Sequence, residues 1–279
     1  MTVRGAVSLA RPANLLGLAL IAVASVFWSG FESWGLGRLL AYVLGCMLVA
    51  AGGYAFNDSR DTALDRVAHP HRPIVLGQVT QLFAQWLSLV AGLSGVLLLT
   101  WVNTTFLLLA SLTVALLFVY SVGLKDRFGF VGNLLTGGLV AAIPLFAGVH
   151  AHRVLEIIPV ATVGFGLTLS REILKDVEDR SADVFGGRRT LATAGRVVLI
   201  RVLVAASVLL AAAAAGWLIA RPVTQGAVAN VALLLLAIVP IGAVGRWLLR
   251  PQDVHATQQV IKLAMFGYSV AFLVMAAPR

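Results

Sequence analysis

The feature that most limits this chain is a series of long apolar runs, each about 18 to 25 residues, separated by short polar joints. A run of that length crosses about 30 Å of hydrocarbon only as a helix, because lipid offers no partner for an unpaired backbone amide. The runs do not alternate polar with apolar residues, as the strands of a membrane barrel would. Of 279 residues, 59% are hydrophobic and 12% are charged, where a soluble domain carries roughly a quarter charged. The sequence therefore predicts an all-α, polytopic membrane protein. Nine spans are expected, at 13–31, 38–57, 79–101, 103–121, 131–150, 154–173, 197–220, 227–249 and 259–277. Pro144, Pro159 and Pro240 fall inside spans, where neighbouring groups can satisfy the freed carbonyls. Cys46 has no partner for a disulfide and no metal-site neighbours, so it reads as packing. The opening MTVRGAVSLARPANLLG lacks a cleavable-leader layout, so the first run is expected to stay as a helix.

The basic residues orient the spans. With nine crossings, all but four of the 21 Lys and Arg fall on the side of the N-terminus; Arg38, Arg153, Arg221 and Arg279 fall on the other. The positive-inside rule puts the rich side in the cytoplasm and the C-terminus outside. The net charge of +9 is then mainly topology and interfacial anchoring and does not call for nucleic acid.

All but four of the 12 acidic residues sit in two segments on that same side. In NDSRDTALD, Asn57, Asp61 and Asp65 recur at i, i+4, i+8, one helical face if the second span continues. In REILKDVEDRSAD, Glu172, Asp176, Asp179 and Asp183 recur at i, i+4, i+7, i+11. Like charges at this spacing repel, so cations must offset them. Local arginines on a solvated loop, a proton or ion path, or Mg²⁺ held between carboxylates and a phosphorylated substrate would each do so. Two aligned faces on one side favour the third. The loop after the fourth span, YSVGLKDR, adds Tyr120, Ser121, Lys125 and Arg127, while Arg171 and Lys175 flank the second face. Carboxylates, cations and hydroxyls at one membrane face suit a diphosphate, with Lys125, Tyr120, Ser121 and Lys175 as contacts. Asp58 and Glu178 point off these faces, and their roles stay open.

These segments resemble a known family. NDSRDTALD is similar to the NDxxDxxxD signature of the UbiA-type intramembrane prenyltransferases, and KDVEDRSAD to their second aspartate-rich motif. YSVGLK resembles the tyrosine and lysine segment between them, and RPANLLG the opening RPxN. Order and spacing agree over essentially the whole chain, 1–279, as a single transmembrane domain. The resemblance implies a nine-helix bundle whose central cavity opens to the cytoplasmic side. It implies Mg²⁺-dependent transfer of an isoprenoid from its diphosphate to a lipid or aromatic acceptor, with no protein partner. By motif position, Asn57, Asp61 and Asp65 would hold one Mg²⁺, and Asp176, Asp179 and Asp183 a second. Asp61, Asp176, Lys125 and Tyr120 would carry the catalysis. Lys125, Tyr120, Arg66 and Arg72 would meet the diphosphate, and Arg11 and Asn14 the acceptor. Ser181 and Ala182 depart from the pattern, where a glycine is expected just before the last aspartate, which puts the aim of Asp183 in question.

The REILKDVEDRSAD…GRRTL form resembles the branch that prenylates geranylgeranylglyceryl phosphate in archaeal ether-lipid synthesis. An acceptor with its own phosphate would need further cations, which Arg171, Arg188 and Arg189 can supply. An aromatic acceptor of the hydroxybenzoate or naphthoate type is the alternative. A transporter is a remoter one, since its site would more often lie near the midplane. His69 and His71 in HPHRP read as a stiff loop exit, and His255 as a loop residue. Trp28, Trp34, Trp101, Trp217 and Trp247 read as an interfacial belt. Phe128 and Phe130 read as packing, with a lining of the substrate chain pocket as the alternative. AAAAAG at 211–216 offers a small-residue face for close helix packing.

Overall fold

Nine helices among the described residues are long and apolar enough to cross a membrane, and no strand is found there. The computed structural model describes residues 2–220 and 227–276; the sequence-assigned Arg221 and Arg279 lie outside them. A short helix α1 (Val3–Leu9) is capped by the Thr2 hydroxyl, which accepts from Gly5 N at 3.1 Å. It seats Leu9 against Ala55, Val79 and Ala84 in a small core of its own. The first two crossings are α2 (Pro12–Gly30), started by a proline where no amide is needed, and α3 (Gly35–Arg60). After the short α4 (Thr62–Ala68) come α5 (Gln81–Val102) and α6 (Thr105–Val119). A π turn over Tyr120–Leu124 joins α6 to α7 (Lys125–Arg127). The remaining elements are α8 (Gly129–His150), α9 (Val154–Glu178), the short α10 (Arg180–Phe185), α11 (Val197–Ile219), α12 (Ala227–Leu249) and α13 (Val254–Ala276).

Two helices overrun their expected ends in a way that matters for function. The expected spans stop at 57 and 173, yet α3 runs to Arg60 and α9 to Glu178. Hydropathy marks where hydrocarbon ends, whereas a helix continues for as long as its own backbone bonds are made. The extra turns carry the acidic residues clear of the apolar stretch. Likewise His255, expected in a loop, lies in the first turn of α13 and meets Glu178 at 2.7 Å.

Small residues set the helix spacing. The α3–α5 pair packs face to face through Gly45, Gly52 and Gly95. A Cβ at Gly95 would stand 2.9 Å from the Gly45 carbonyl oxygen and 3.0 Å from Val49 N. The alanine run on α11 does what its composition suggested: Ala211 and Ala215 are buried, and a Cβ at Gly166 of α9 would collide with the Ser207 carbonyl oxygen. Without a hydrophobic driving force between helices in lipid, such close backbone approach supplies the packing energy. The tryptophans divide. Trp101 and Trp217 are exposed, as an interfacial belt requires, whereas Trp34 and Trp247 are buried in the core. Trp34 Nε1 donates to Ser29 Oγ at 3.2 Å, so a ring near a helix end turns inward once it finds a partner there.

The α3–α5 contact gives a stability test. Gly95→Val forces branched carbon into the Gly45 and Val49 backbone and is expected to cost about 1–3 kcal/mol. Gly138→Ala meets nothing within 4 Å and is expected to leave stability unchanged or slightly raised. Unfolding midpoints in detergent compare the two.

Candidate active site

The two acidic segments are built alike. α3 stops at Asp61 (φ −87°, ψ 4°) and α9 at Asp179 (φ −83°, ψ 3°), and a short helix follows each. The turns do not lose their backbone bonds at the break. Asp61 N donates to Asn57 O (2.9 Å) and Asp65 N to Asp61 O (2.8 Å), as do Asp179 N to Lys175 O (2.8 Å) and Asp183 N to Asp179 O (2.9 Å). The carboxylates therefore keep a shared face through the kink. Ser181 and Ala182 are ordinary helical residues of α10, and Asp183 reaches the site without the glycine that the resemblance led one to expect.

A cavity open to solvent, with about 650 Å³ of empty space counting its open mouth, lies between these helix ends. From the first segment Asn57, Asp61, Asp65, His69 and Arg72 line it, and from the second Glu172, Lys175, Asp176, Asp179, Asp183 and Arg188. Tyr120 and Lys125 enter from the π turn and α7, and Asn133 from α8. All of these belong to helix ends and joints on the N-terminal side of the bundle.

Cations sit directly on the carboxylates. Lys125 Nζ donates to Asn57 Oδ1 at 2.5 Å and to both Asp61 oxygens at 2.7 Å, and lies 5.7 Å from the Tyr120 ring centroid. Arg188 Nη2 donates to Asp61 Oδ1 at 2.5 Å, its Nε donates to Asp126 Oδ1 at 2.8 Å, and its Nη1 stands 3.7 Å from Asp183 Oδ1. A backbone strap holds that arginine: Arg189 N donates to Asp126 O (2.8 Å) and Gly129 N to Arg189 O (3.1 Å). Gly129 permits it, since a Cβ there would stand 3.0 Å from the Thr190 Cα. Arg72 Nη1 donates to Asp58 Oδ1 (2.7 Å) and Asp65 Oδ2 (2.8 Å). Asp176 accepts from Asn133 Nδ2 at 2.8 Å, and His69 Nε2 lies 3.8 Å from Asp179 Oδ2.

The electrostatics follow from these partners. Burial pushes the Asp61 carboxyl up, but Lys125 and Arg188 outweigh burial and hold it below the usual carboxylate range. Asp179 is also held low, where the nearby His69 and the charge of Lys175 overcome burial. Asp65 and Asp183 go the other way: burial, aided by neighbouring aspartates, outweighs Arg72 and Arg188 respectively and raises them.

Some expected residues do not reach the cavity. Arg66 is exposed on α4, because one residue past Asp65 turns its side chain about 100° away. Ser121 is buried but does not line the cavity. Arg171 pairs with its neighbour Glu172 at 2.6 Å, Arg189 is exposed, and Asn14 and Arg11 stand outside the lining. Arg11 is instead held by Asp58 at 2.6 Å and lies over the Tyr54 ring at 4.9 Å. Phe128 is exposed and Phe130 packs on the core, so neither lines this space. Asn133, His69 and Thr190 line it without having been singled out as site residues. For His69 the HPHRP turn was a usable signal; Asn133 and Thr190 left none in an apolar or loop context.

Among the described residues no three Asp, Glu, His or Cys side chains converge tightly enough to hold a metal ion alone. The donors are nonetheless hard oxygens arranged as facing sets. That suits Mg²⁺, which keeps several waters and takes its remaining ligands from substrate phosphates, and does not suit a closed nitrogen–sulfur site.

Residues 15–270 match the UbiA prenyltransferase family. The chain belongs to that family. The digeranylgeranylglyceryl phosphate synthase of Methanopyrus kandleri is 33% identical, over 97% of this chain and 98% of its own. The fold is that of solved UbiA homologues. The apo structure from Aeropyrum pernix superposes with a TM-score of 0.75 at 19% identity, over 92% of this chain and 97% of the other. A homologue from Archaeoglobus fulgidus bound to GPP and Mg²⁺ gives 0.64 at 16% identity, over 97% and 99%. In this UbiA-family chain the cavity thus lies among the same segments that carry the motif resemblance.

Asp61 gives a pH-resolved test. Asp61→Asn leaves Lys125 and Arg188 without their shared counter-ion, which is expected to destabilise by about 3 kcal/mol at neutral pH. Because the Asp61 carboxyl is held low, its contribution is present above the ordinary aspartate range and lost only as pH falls through its lowered value. The stability gap between wild type and variant should stay constant from neutral pH downward and close only below about pH 4. Unfolding midpoints across that range in detergent measure it.

Proposed function

We propose that this intramembrane prenyltransferase moves a geranylgeranyl group from its diphosphate to the free hydroxyl of geranylgeranylglyceryl phosphate, in ether-lipid synthesis. The reading rests most on one observation: both aspartate-rich segments, from opposite halves of the chain, face one cavity that also holds Lys125, Arg72 and Arg188. The extensive likeness to a digeranylgeranylglyceryl phosphate synthase supports the choice of acceptor.

The residue roles follow from charge. Asn57, Asp61 and Asp65 would hold one Mg²⁺ and Asp176, Asp179 and Asp183 a second. These ions supply neutralisation of the charge that develops on the leaving diphosphate. Lys125, Arg72, Lys175 and Arg188 bind the same oxyanions directly, and Tyr120 packs beside Lys125. A group that leaves as a charge-stabilised diphosphate anion needs no protein nucleophile, so the chain's task is to orient and neutralise. As the C1–O bond to diphosphate breaks, the allylic carbon becomes electron-poor. The acceptor oxygen then bonds to C1 and gives up its proton, for which the released diphosphate is the base at hand. Arg171 and Arg11, at the margin, are the cations available to an acceptor that carries a phosphate. The basic residues support an orientation with this cavity and the N-terminus in the cytoplasm and the C-terminus outside.

Purified protein supplied with geranylgeranyl diphosphate, Mg²⁺ and one acceptor at a time tests the reading. Product is expected with geranylgeranylglyceryl phosphate; turnover of only a hydroxybenzoate or naphthoate would overturn the lipid acceptor. Asp61→Ala is expected to lower the rate at least about 100-fold, and a full-rate variant would remove the metal–diphosphate site from the reading.

A further inference from the structure

The register of the two motifs makes Asp58 the counterpart of Asp176, because 58/61/65 and 176/179/183 share one spacing. The backbone breaks alike at Asp61 and Asp179. On spacing alone, Asp58 has the same claim to a metal as Asp176. The side chains separate them. Asp176 lines the cavity and accepts from Asn133. Asp58 does not line it and is only 3% exposed. Its Oδ1 accepts from Arg11 Nη2 at 2.6 Å and from Arg72 Nη1 at 2.7 Å, and that same Nη1 reaches Asp65 Oδ2 at 2.8 Å. Arg11 and Arg72 together balance Asp58 and Asp65, and Asp58, unlike the similarly paired Asp61, does not line the cavity, so it is not placed to meet a metal ion held there.

The two arginines come from different functional regions. Arg72 lines the cavity. Arg11 starts α2 in the left-handed backbone region (φ 53°) and lies over Tyr54. A long arginine side chain aims its fork reliably only where its rotamers are fixed by partners.

We propose that Asp58 is a positioning residue: its Oδ1 clamps Arg72 and Arg11 together, aiming Arg72 at the diphosphate and tying that aim to the start of α2. The inference rests on the diphosphate site proposed above. Removing the clamp should weaken diphosphate binding at any metal concentration, whereas removing a metal ligand should produce a loss that added metal recovers.

The test is binding of inorganic diphosphate to the purified full chain in detergent, by calorimetry, across a series of Mg²⁺ concentrations. Asp58→Asn is expected to lower affinity by about tenfold throughout the series. In the Arg72→Gln background it should add little further loss, because the two changes remove one interaction. Wild-type affinity in Asp58→Asn, recovery at high Mg²⁺, or losses that add fully would each overturn the proposal. Should Asp58→Asn not fold, Asp58→Glu keeps the charge and shifts the carboxylate by one methylene; it should fold and bind diphosphate more weakly than wild type. Unimpaired binding in Asp58→Glu would also overturn it. If wild type with Mg²⁺ binds no diphosphate, the functional reading fails, and not this role alone.

Discussion

Crowded negative charge at one membrane face is the constraint on which this structure depends. The ends of α3 and α9, with the short α4 and α10 that follow them, bring Asn57, Asp61, Asp65, Glu172, Asp176, Asp179 and Asp183 around one cavity. Carboxylates packed that closely would drive the two helix ends apart unless cations stood between them. The chain supplies those cations from distant segments. Lys125 comes from the end of the fourth crossing, Arg188 from the strap after α10, and Arg72 from the turn after α4. Each of these contacts therefore fixes a connecting segment as well as a charge. Arg188 alone ties α10 and the α7 region to Asp61.

The arrangement works because the two acidic helices are longer than a bilayer needs. A helix of 26 residues, as α3 is, spans about 39 Å, against about 30 Å of hydrocarbon. The excess lifts the polar turns into the interfacial region, where water reaches the cavity mouth and carboxylates can ionise. Burial is still enough to raise Asp65 and Asp183. Pairing decides the outcome residue by residue: Asp61, with two cations at hydrogen-bond distance, is held low despite burial. Close helix packing lower in the bundle supports this end. Gly45, Gly52 and Gly95 let α3 and α5 touch backbone to backbone, so the platform that carries Asn57 and Asp61 is stiff.

What the sequence disclosed follows from range. Helical crossings and acid faces are local patterns, and hydropathy and i, i+4 spacing recover them from a few turns of chain. Pairing across the bundle is not local. Asp61 and Arg188 are 127 residues apart, and nothing near Asp61 in sequence singles out that arginine over Arg66. The motif resemblance pointed to Arg66 as a diphosphate contact, and helical geometry turns it outward. Asn133 sits in an apolar helix and shows its purpose only when Asp176 faces it. Trp34 and Trp247 show the same limit: position near a span end suggested the interface, but the neighbours of each ring placed it in the core.

The two motifs also show how one backbone plan serves two tasks. Both end a long helix at an aspartate with nearly the same dihedrals and resume in a short helix that carries the next aspartate four residues on. Three residues before each break stands another aspartate, and there the halves part. Asp176 meets a neutral amide from α8 and keeps its carboxyl on the cavity. Asp58 meets two guanidiniums and spends its charge on them. The difference lies in the neighbouring elements: α2 begins with Arg11 beside the first motif, while α8 brings Asn133 beside the second. Identical spacing thus yields different chemistry because the partner chain segments differ, and the asymmetry leaves one half of the site better supplied with fixed cations than the other.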